Sequence, residues 1–346
     1  MRRRSVLALA GGAVLAGCAP ARQLAGAPAP SFAGPRLETD SFVSFDGARL
    51  GMTEWPASTP EPSEVIVALH GVNDHSGGWV LPATAWAERG IATYAYDGRG
   101  FGRSPRRGVW ADAEVSAEDL RTFVALVRAR HPGAILAVLG ESMGGALALH
   151  AFGSDRPPDA DRLIATAPAV WGWRSQPWLY RTTLWTAAHL AGGYVLTPPS
   201  WVTRNRLATD NLEELRRMRA DRQMLFRTRI DAIHGLVDLM QKGADAMPRV
   251  RTPLLVLYGG RDDMVPKEAM FAAVRRLPRH ARSAYYPEGR HLLLRDLDRA
   301  RRMADVEAFL RSAEAEFPSG AAPIPRASGA RRRQENIVES SPSPGL

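Results

Sequence analysis

The 346-residue chain predicts an α/β fold, a mostly parallel sheet with helices on both faces and a helical insertion over one end. Three observations predict it. Short, dense apolar runs of strand length recur, several ending at glycine, as strands buried on both faces do. Between them lie longer stretches of helical periodicity, the rhythm of a parallel sheet covered on both sides. That rhythm breaks over residues 168–250, where patterns are mostly helical and five of the nine tryptophans gather: Trp171, Trp173, Trp178, Trp185 and Trp201. A hydrophobic content of 45% with 23% charged residues suffices for a core of this size.

Arg2, Arg3 and Arg4 open the chain ahead of an apolar run, residues 6–15, too short to span a bilayer. The run ends Leu15-Ala16-Gly17-Cys18, which resembles a bacterial lipoprotein lipobox. The resemblance implies cleavage after residue 17 and lipidation of Cys18. Arg3-Arg4-Ser5-Val6-Leu7 also resembles a twin-arginine export motif. The alternative is an ordinary secretory signal with an incidental cysteine. Cys18 is the only cysteine, so the mature fold holds without a disulfide. Two or more acyl chains give firm anchoring where one is marginal. The expected location is the bacterial cell envelope, lipid-anchored on the periplasmic side of the inner or outer membrane. Ala19, rather than Asp, points by resemblance to enterobacterial sorting toward the outer one.

Residues 18–40, rich in Ala, Pro and Gly, read as the lipidated cysteine and a flexible linker, with the folded domain at 41–317. Asp46-Gly47 between two short apolar stretches (41–55) signals a hairpin. Residues 64–70 read as a buried strand, 79–89 as a helix and 91–96 as a strand, followed by the loop DGRGFGRS at 97–104. Ser116 with Asp119 reads as a capping-box variant opening a helix. Leu120, Phe123, Val124 and Val127 give that helix one apolar face. Strands follow at 135–139, 163–167, 254–258 and 283–286; helices at 143–152, 212–224, 266–277 and 295–316. The tail from 318, rich in Pro, Ser, Gly and Arg, reads as disordered.

Gly140-Glu141-Ser142-Met143-Gly144 lies between a predicted strand and a predicted helix, the context a nucleophile elbow requires. A sharp strand-to-helix turn lifts the serine hydroxyl above the strand end and needs small neighbours at 140, 144 and 145. It also aims the Met143 N–H at the same spot, near a helix N-terminus where partial positive charge gathers. A serine hydroxyl needs a base, and the base an orienting carboxylate. The fold predicts the order Ser, acid, His. Downstream loops after strands hold Asp262 and Asp263, then His291. Order alone leaves either aspartate open.

These motifs resemble α/β-hydrolase serine esterases of the monoacylglycerol lipase and bacterial lysophospholipase branch. LHGVNDHSGGW (69–79), DGRGFGRS, GESMGG, GRDDMVP and GRHLLL stand in the branch's order over about 41–315. The resemblance implies an α/β-hydrolase fold with an eight-stranded, mostly parallel sheet and a cap insertion at about 168–250. It implies Ser142 as nucleophile and His291 as base. Its spacing selects Asp262, three residues after Gly259 and four before Pro266, as the acid. The N–H groups of Val72 and Met143 become the oxyanion donors, and His70 and His75 structural residues of that loop. Glu141 departs from the histidine the branch often carries there, which touches specificity more than mechanism.

The implied reaction is hydrolysis of lipid carboxylic esters, monoacylglycerols or lysophospholipids, with no metal or organic cofactor. The same machinery also suits an aminopeptidase or a thioesterase. A peptidase needs acids for a free amine, and Glu141, Asp210, Glu213 and Glu214 are candidates. An inactive surface lipoprotein is the alternative outside catalysis. In the insertion, Trp178, Leu179, Leu184, Trp185 and Ala188 are read as one apolar face guiding acyl chains and touching a membrane, with Trp178 and Trp185 as cap and substrate candidates. Net charge is +9, of which the opening arginines hold +3 and the tail +2, leaving +4 for the body. That excess is too modest to make nucleic acid the partner.

Overall fold

The computed structural model describes residues 19–197 and 206–326; Cys18 and the export signal read at 1–17 lie outside them. The antiparallel edge of the sheet is β1 (Arg36–Leu37), β2 (Ser41–Val43) and β3 (Arg49–Trp55). The Asp46-Gly47 turn joins β2 to β3, Gly47 taking φ 81°. β4 (Glu64–Leu69), β5 (Ile91–Tyr96), β6 (Ile135–Glu141) and β7 (Arg162–Thr166) follow. β8 (Val195–Leu196) and β9 (Thr228–Arg229) pair as a small ribbon within the insertion. β10 (Leu254–Gly259) and β11 (Arg282–Tyr286) complete the main sheet. Its order is β1-β2-β3-β5-β4-β6-β7-β10-β11, parallel from β5 to β11. Nine strands stand where eight were expected, because residues 36–37 pair with 42–43 and extend the edge.

The helices are α1 (Val80–Glu88), α2 (Ala113–Arg130), α3 (Met143–Phe152), α4 (Trp178–Ala191), α5 (Leu212–Ala220), α6 (Ile230–Ala246), α7 (Lys267–Val274) and α8 (Arg299–Arg311). β4 shows how the layers form. Val65, Val67 and Leu69 join one core with residues of α2, α3 and α6; Ile66 and Ala68 join the other with residues of α1 and α8. Both faces of the strand are apolar because both are covered. The second half of the insertion, α6, is thus a layer helix packed on α3, and the cap proper is α4, α5 and the β8–β9 ribbon. Among the described residues no helix is long and apolar enough to cross a membrane.

Four further expectations change. Helix α2 starts earlier than Ser116: Asp112 is its N-cap, accepting from Glu114 N. Asp119 caps nothing; it is buried and bonded to Arg99 at 2.7 Å, while Arg99 also bonds Asp46 at 2.8 and 2.9 Å. One guanidinium therefore ties the β2–β3 turn, the loop after β5 and α2 together. Removing it leaves two buried carboxylates unpaired. Arg99→Leu is expected to cost about 3–5 kcal/mol, read as a lowered urea midpoint.

The presumed linker and tail are also more ordered than their composition suggests. Gln23 is buried and forms a parallel bridge with Ala111; its N–H donates to Trp110 O at 2.7 Å and its Nε2 to Val109 O at 2.7 Å. Gly26 N donates to Asp46 at 2.9 Å. At the other end, Tyr285 N donates to Ala322 O at 2.8 Å, and Ile324 is buried. Residues 319–324 thus cover the open edge of β11, which would otherwise present unpaired backbone groups.

Candidate active site

The site sits where β4, β6, β10 and β11 end, beside the point at which strand order reverses around β4, where open α/β sheets place their ligands. Leu69 and Gly140 are register partners, so the loop after β4 and the turn after β6 are neighbours. Ser142 occupies that turn at φ 54°, ψ −112°, a region costly for a residue with a side chain. Its surroundings explain the glycines. A Cβ on Gly140 would lie 2.6 Å from Gly145 N, and one on Gly144 would lie 2.7 Å from the Leu69 carbonyl carbon. Strand and helix meet too closely there for any side chain. Ser142 N donates to Thr166 O at 3.0 Å and its carbonyl accepts from Ala146 and Ala169, fixing the turn from both sides.

His291 follows β11 and Asp262 follows β10. Their parallel register, Gly259 opposite Tyr286, brings the two loops together. Asp262 Oδ2 lies 2.9 Å from His291 Nδ1, and both side chains are buried. Asp262 Oδ1 accepts from Met264 N at 2.7 Å and Val265 N at 2.9 Å, so the carboxylate is held at both oxygens. Asp263 points away to Arg290 at 3.4 Å and is half-exposed. Burial alone would push the His291 imidazole down; the Asp262 charge and hydrogen bond outweigh it and raise it above the ordinary histidine value. Ser142 and His291 line one cavity of about 340 Å³.

Val72 lines the same cavity, and Met143 opens α3. Among the described residues neither N–H donates a hydrogen bond. The loop carrying Val72 is clamped by His70 and His75. Gly98 N donates to His70 Nε2 at 2.9 Å, which leaves His70 Nδ1–H to donate to Gly71 O at 2.7 Å. Burial holds this imidazole below its ordinary value, so it stays neutral in that tautomer. Gly77 N donates to His75 Nδ1, and His75 Nε2 bonds Asp221 at 2.9 Å, tying the loop to the end of α5. Leu225 N to Asn73 O, 2.9 Å, is a second tie to the cap. In the loop after β5, Asp97 accepts from Ser76 N at 2.7 Å and Arg103 N at 2.9 Å, a structural use of that motif.

Sequence reasoning missed Arg295. Read as the first residue of a helix, it instead precedes α8 and is fully buried, with Nη2 2.6 Å from Asp74 and 2.8 Å from Glu141. Burial alone would raise Asp74; the Arg295 charge overcomes this and holds the carboxyl below its usual range. At Glu141 burial wins and the carboxyl is pushed up. Glu214 is bound by Arg217 through two 2.7 Å hydrogen bonds. Of the four acids proposed for a free amine, Glu141 and Glu214 are thus already paired with arginine, and Asp210 and Glu213 do not line the cavity. The remaining wall is mainly apolar, with Trp171, Tyr180, Met218, Ile233, Leu236 and Met240 among its side chains.

Trp178 and Trp185 are not part of that wall, which corrects the expected single face of α4. Seven residues apart, they share one side of the helix, while Leu184 and Ala188 share another. Leu184 and Ala188 are buried; Trp178 and Trp185 are exposed and line a separate surface cavity with Trp173, Arg181, His234 and Asp238. Tyr180 is the α4 residue that reaches the Ser142 cavity.

A family model described as serine aminopeptidase, S33, matches residues 60–298. A monoacylglycerol lipase of Mycolicibacterium smegmatis is 28% identical over 65% of this chain and 79% of its own length. A monoglyceride lipase of Rattus norvegicus is 25% identical over 76% of this chain and 86% of its own. Among solved structures, a soluble variant of the Saccharomyces cerevisiae monoglyceride lipase, in complex with a substrate analog, superposes with a TM-score of 0.65 at 19% identity, covering 83% of this chain and 99% of that one.

Proposed function

The chain belongs to the serine aminopeptidase S33 family of α/β-hydrolases, and on that premise we propose that it is a carboxylic ester hydrolase acting on lipid esters, monoacylglycerols or lysophospholipids. The observation that carries this reading is the Asp262–His291 pair, bonded at 2.9 Å, opening with Ser142 onto one largely apolar cavity. Ser142 Oγ attacks the ester carbonyl while His291 Nε2 takes its proton and passes it to the departing alcohol. Water, activated by the same nitrogen, then releases the fatty acid. Asp262 holds His291 Nδ1–H and favours the imidazolium that forms. The Val72 and Met143 N–H groups receive the oxyanion, each worth about 10²–10³ in rate.

The aminopeptidase alternative loses support from the cavity itself. Asp74 and Glu141, the carboxylates along its wall, both already bond the Arg295 guanidinium, which weakens what either can offer an ammonium group. The sequence features at residues 1–18 support the further proposal of export and a lipid anchor at Cys18, with the enzyme in a bacterial cell envelope. A panel of monoacylglycerol, lysophospholipid, acyl thioester and amino-acid arylamide tests the proposal. The two glycerolipid esters are expected to be hydrolysed fastest. Faster release from the arylamide would reverse the assignment, and faster thioester cleavage would move it to the thioesterase reading.

A further inference from the structure

The exposed side of α4 carries Trp178, Leu179, Trp185 and Leu190, each more than half exposed, with Tyr194 just beyond its end. Arg181 lies among them and, among the described residues, its guanidinium has no partner. Aromatic and aliphatic groups around a free arginine are the composition of a surface that sits at a membrane interface beside anionic headgroups. Composition alone does not say what covers it. The N-terminal segment does.

Asp238 on α6 accepts from Trp173 Nε1 at 2.6 Å, lines the cavity under Trp178 and Trp185, and is bonded by Arg22. The next residue, Gln23, is locked by its backbone and side chain to residues 109–112. The chain therefore reaches the body at the edge of the tryptophan face and is clamped there. Cys18 precedes Arg22 by four residues. Four residues span at most about 14 Å.

We infer that residues 19–26 form an orienting strap: it brings the lipid-bearing end of the chain out beside the Trp178/Trp185 face, so that the bilayer itself covers this face and the cap rests on the membrane. The inference rests on the anchor at Cys18 and on the hydrolase reading. On the opposite side of α4 and α6, Tyr180, Ile233 and Leu236 line the Ser142 cavity. One helix pair thus separates the bilayer from the catalytic chamber, and a substrate leaving the membrane has one helix layer to pass.

The test uses the full-length protein, acylated in a bacterial host and reconstituted into phosphatidylethanolamine–phosphatidylglycerol vesicles. Two variants release the strap differently: Arg22→Ala with Gln23→Ala, and a flexible glycine–serine insertion between Ala21 and Arg22 that leaves every described contact intact. In both, hydrolysis of a soluble short-chain ester is expected to stay at the wild-type rate. Tryptophan quenching by brominated phospholipid is expected to fall. Turnover of monoacylglycerol in the vesicle is expected to drop about five- to tenfold, because a longer tether dilutes the enzyme at its surface. Equal quenching and equal vesicle turnover in wild type and both variants overturn the strap while leaving the hydrolase reading intact. An unacylated Cys18 by intact mass overturns the anchor and the strap together, and a wild type inert on the soluble ester overturns the hydrolase reading.

Discussion

Ser142→Ala is expected to lower kcat on any accepted ester by about 10⁶, with substrate binding little changed, because nucleophile and base act as one unit. The residue is small and its replacement smaller, so the fold has no reason to fail. The strained backbone at φ 54° is as open to alanine as to serine, and the turn is held by main-chain bonds to Thr166, Ala146 and Ala169 that the substitution leaves in place. Residual hydrolysis above the uncatalysed rate is expected from the amides of Val72 and Met143, which do not depend on the hydroxyl. A steady-state assay with a chromogenic short-chain ester, alongside an unchanged thermal midpoint, checks both parts. A loss below tenfold would assign the chemistry to another group.

Asp262→Asn is expected to lower kcat by about 10⁴, since the amide favours the wrong imidazole tautomer. Asp263→Asn, at a half-exposed carboxyl bonded to Arg290, is expected to leave it nearly unchanged. The pH profile separates the two as well. The base works as neutral imidazole. Burial lowers the His291 value, but the Asp262 charge and hydrogen bond more than offset this, so in the wild type the imidazole is held above 6.5. The acid limb of kcat/KM therefore rises with pH around a midpoint above 6.5, the base being protonated and inactive below it. Without the carboxylate only burial and the more distant charges remain, and the midpoint is expected to move down. A profile of Asp262→Asn that keeps the wild-type midpoint would show that another group sets the limb.

Much of the candidate site's geometry was legible because the proposed chemistry restricts sequence. Ser142 needs glycines where strand and helix collide, and those glycines are visible as a motif. His291 and Asp262 follow strands in an order that sheet topology dictates. Choosing Asp262 over Asp263 took family spacing, and the physical distinction is plain only in three dimensions: Asp262 accepts two backbone N–H groups besides bonding His291, whereas Asp263 faces solvent and Arg290.

What escaped the sequence depends on partners far away in the chain. Asp119 looks like a capping residue until Arg99, twenty positions earlier, closes on it. Arg295 reads as the first residue of a helix, yet it bonds Asp74, 221 residues away, and Glu141. Residues 19–26 have linker composition, but Gln23 pairs with residues 110–112 through its backbone, which leaves no side-chain signature, and its Nε2 finds the Val109 carbonyl 86 residues away. The same holds at Ala322, whose carbonyl caps the edge of β11. On α4 the five apolar residues were correctly placed in a helix but spread over two faces, one packed inward and one open.

The central claim is that an acyl group passes through Ser142. Rapid quenching of the enzyme with an activated ester, followed by intact-mass and peptide analysis, tests it most directly. The account predicts a burst of alcohol release matched by one acyl mass on the peptide containing residue 142, and neither in Ser142→Ala. Full turnover with no acyl mass on that peptide, or an equal adduct in the alanine variant, would contradict it.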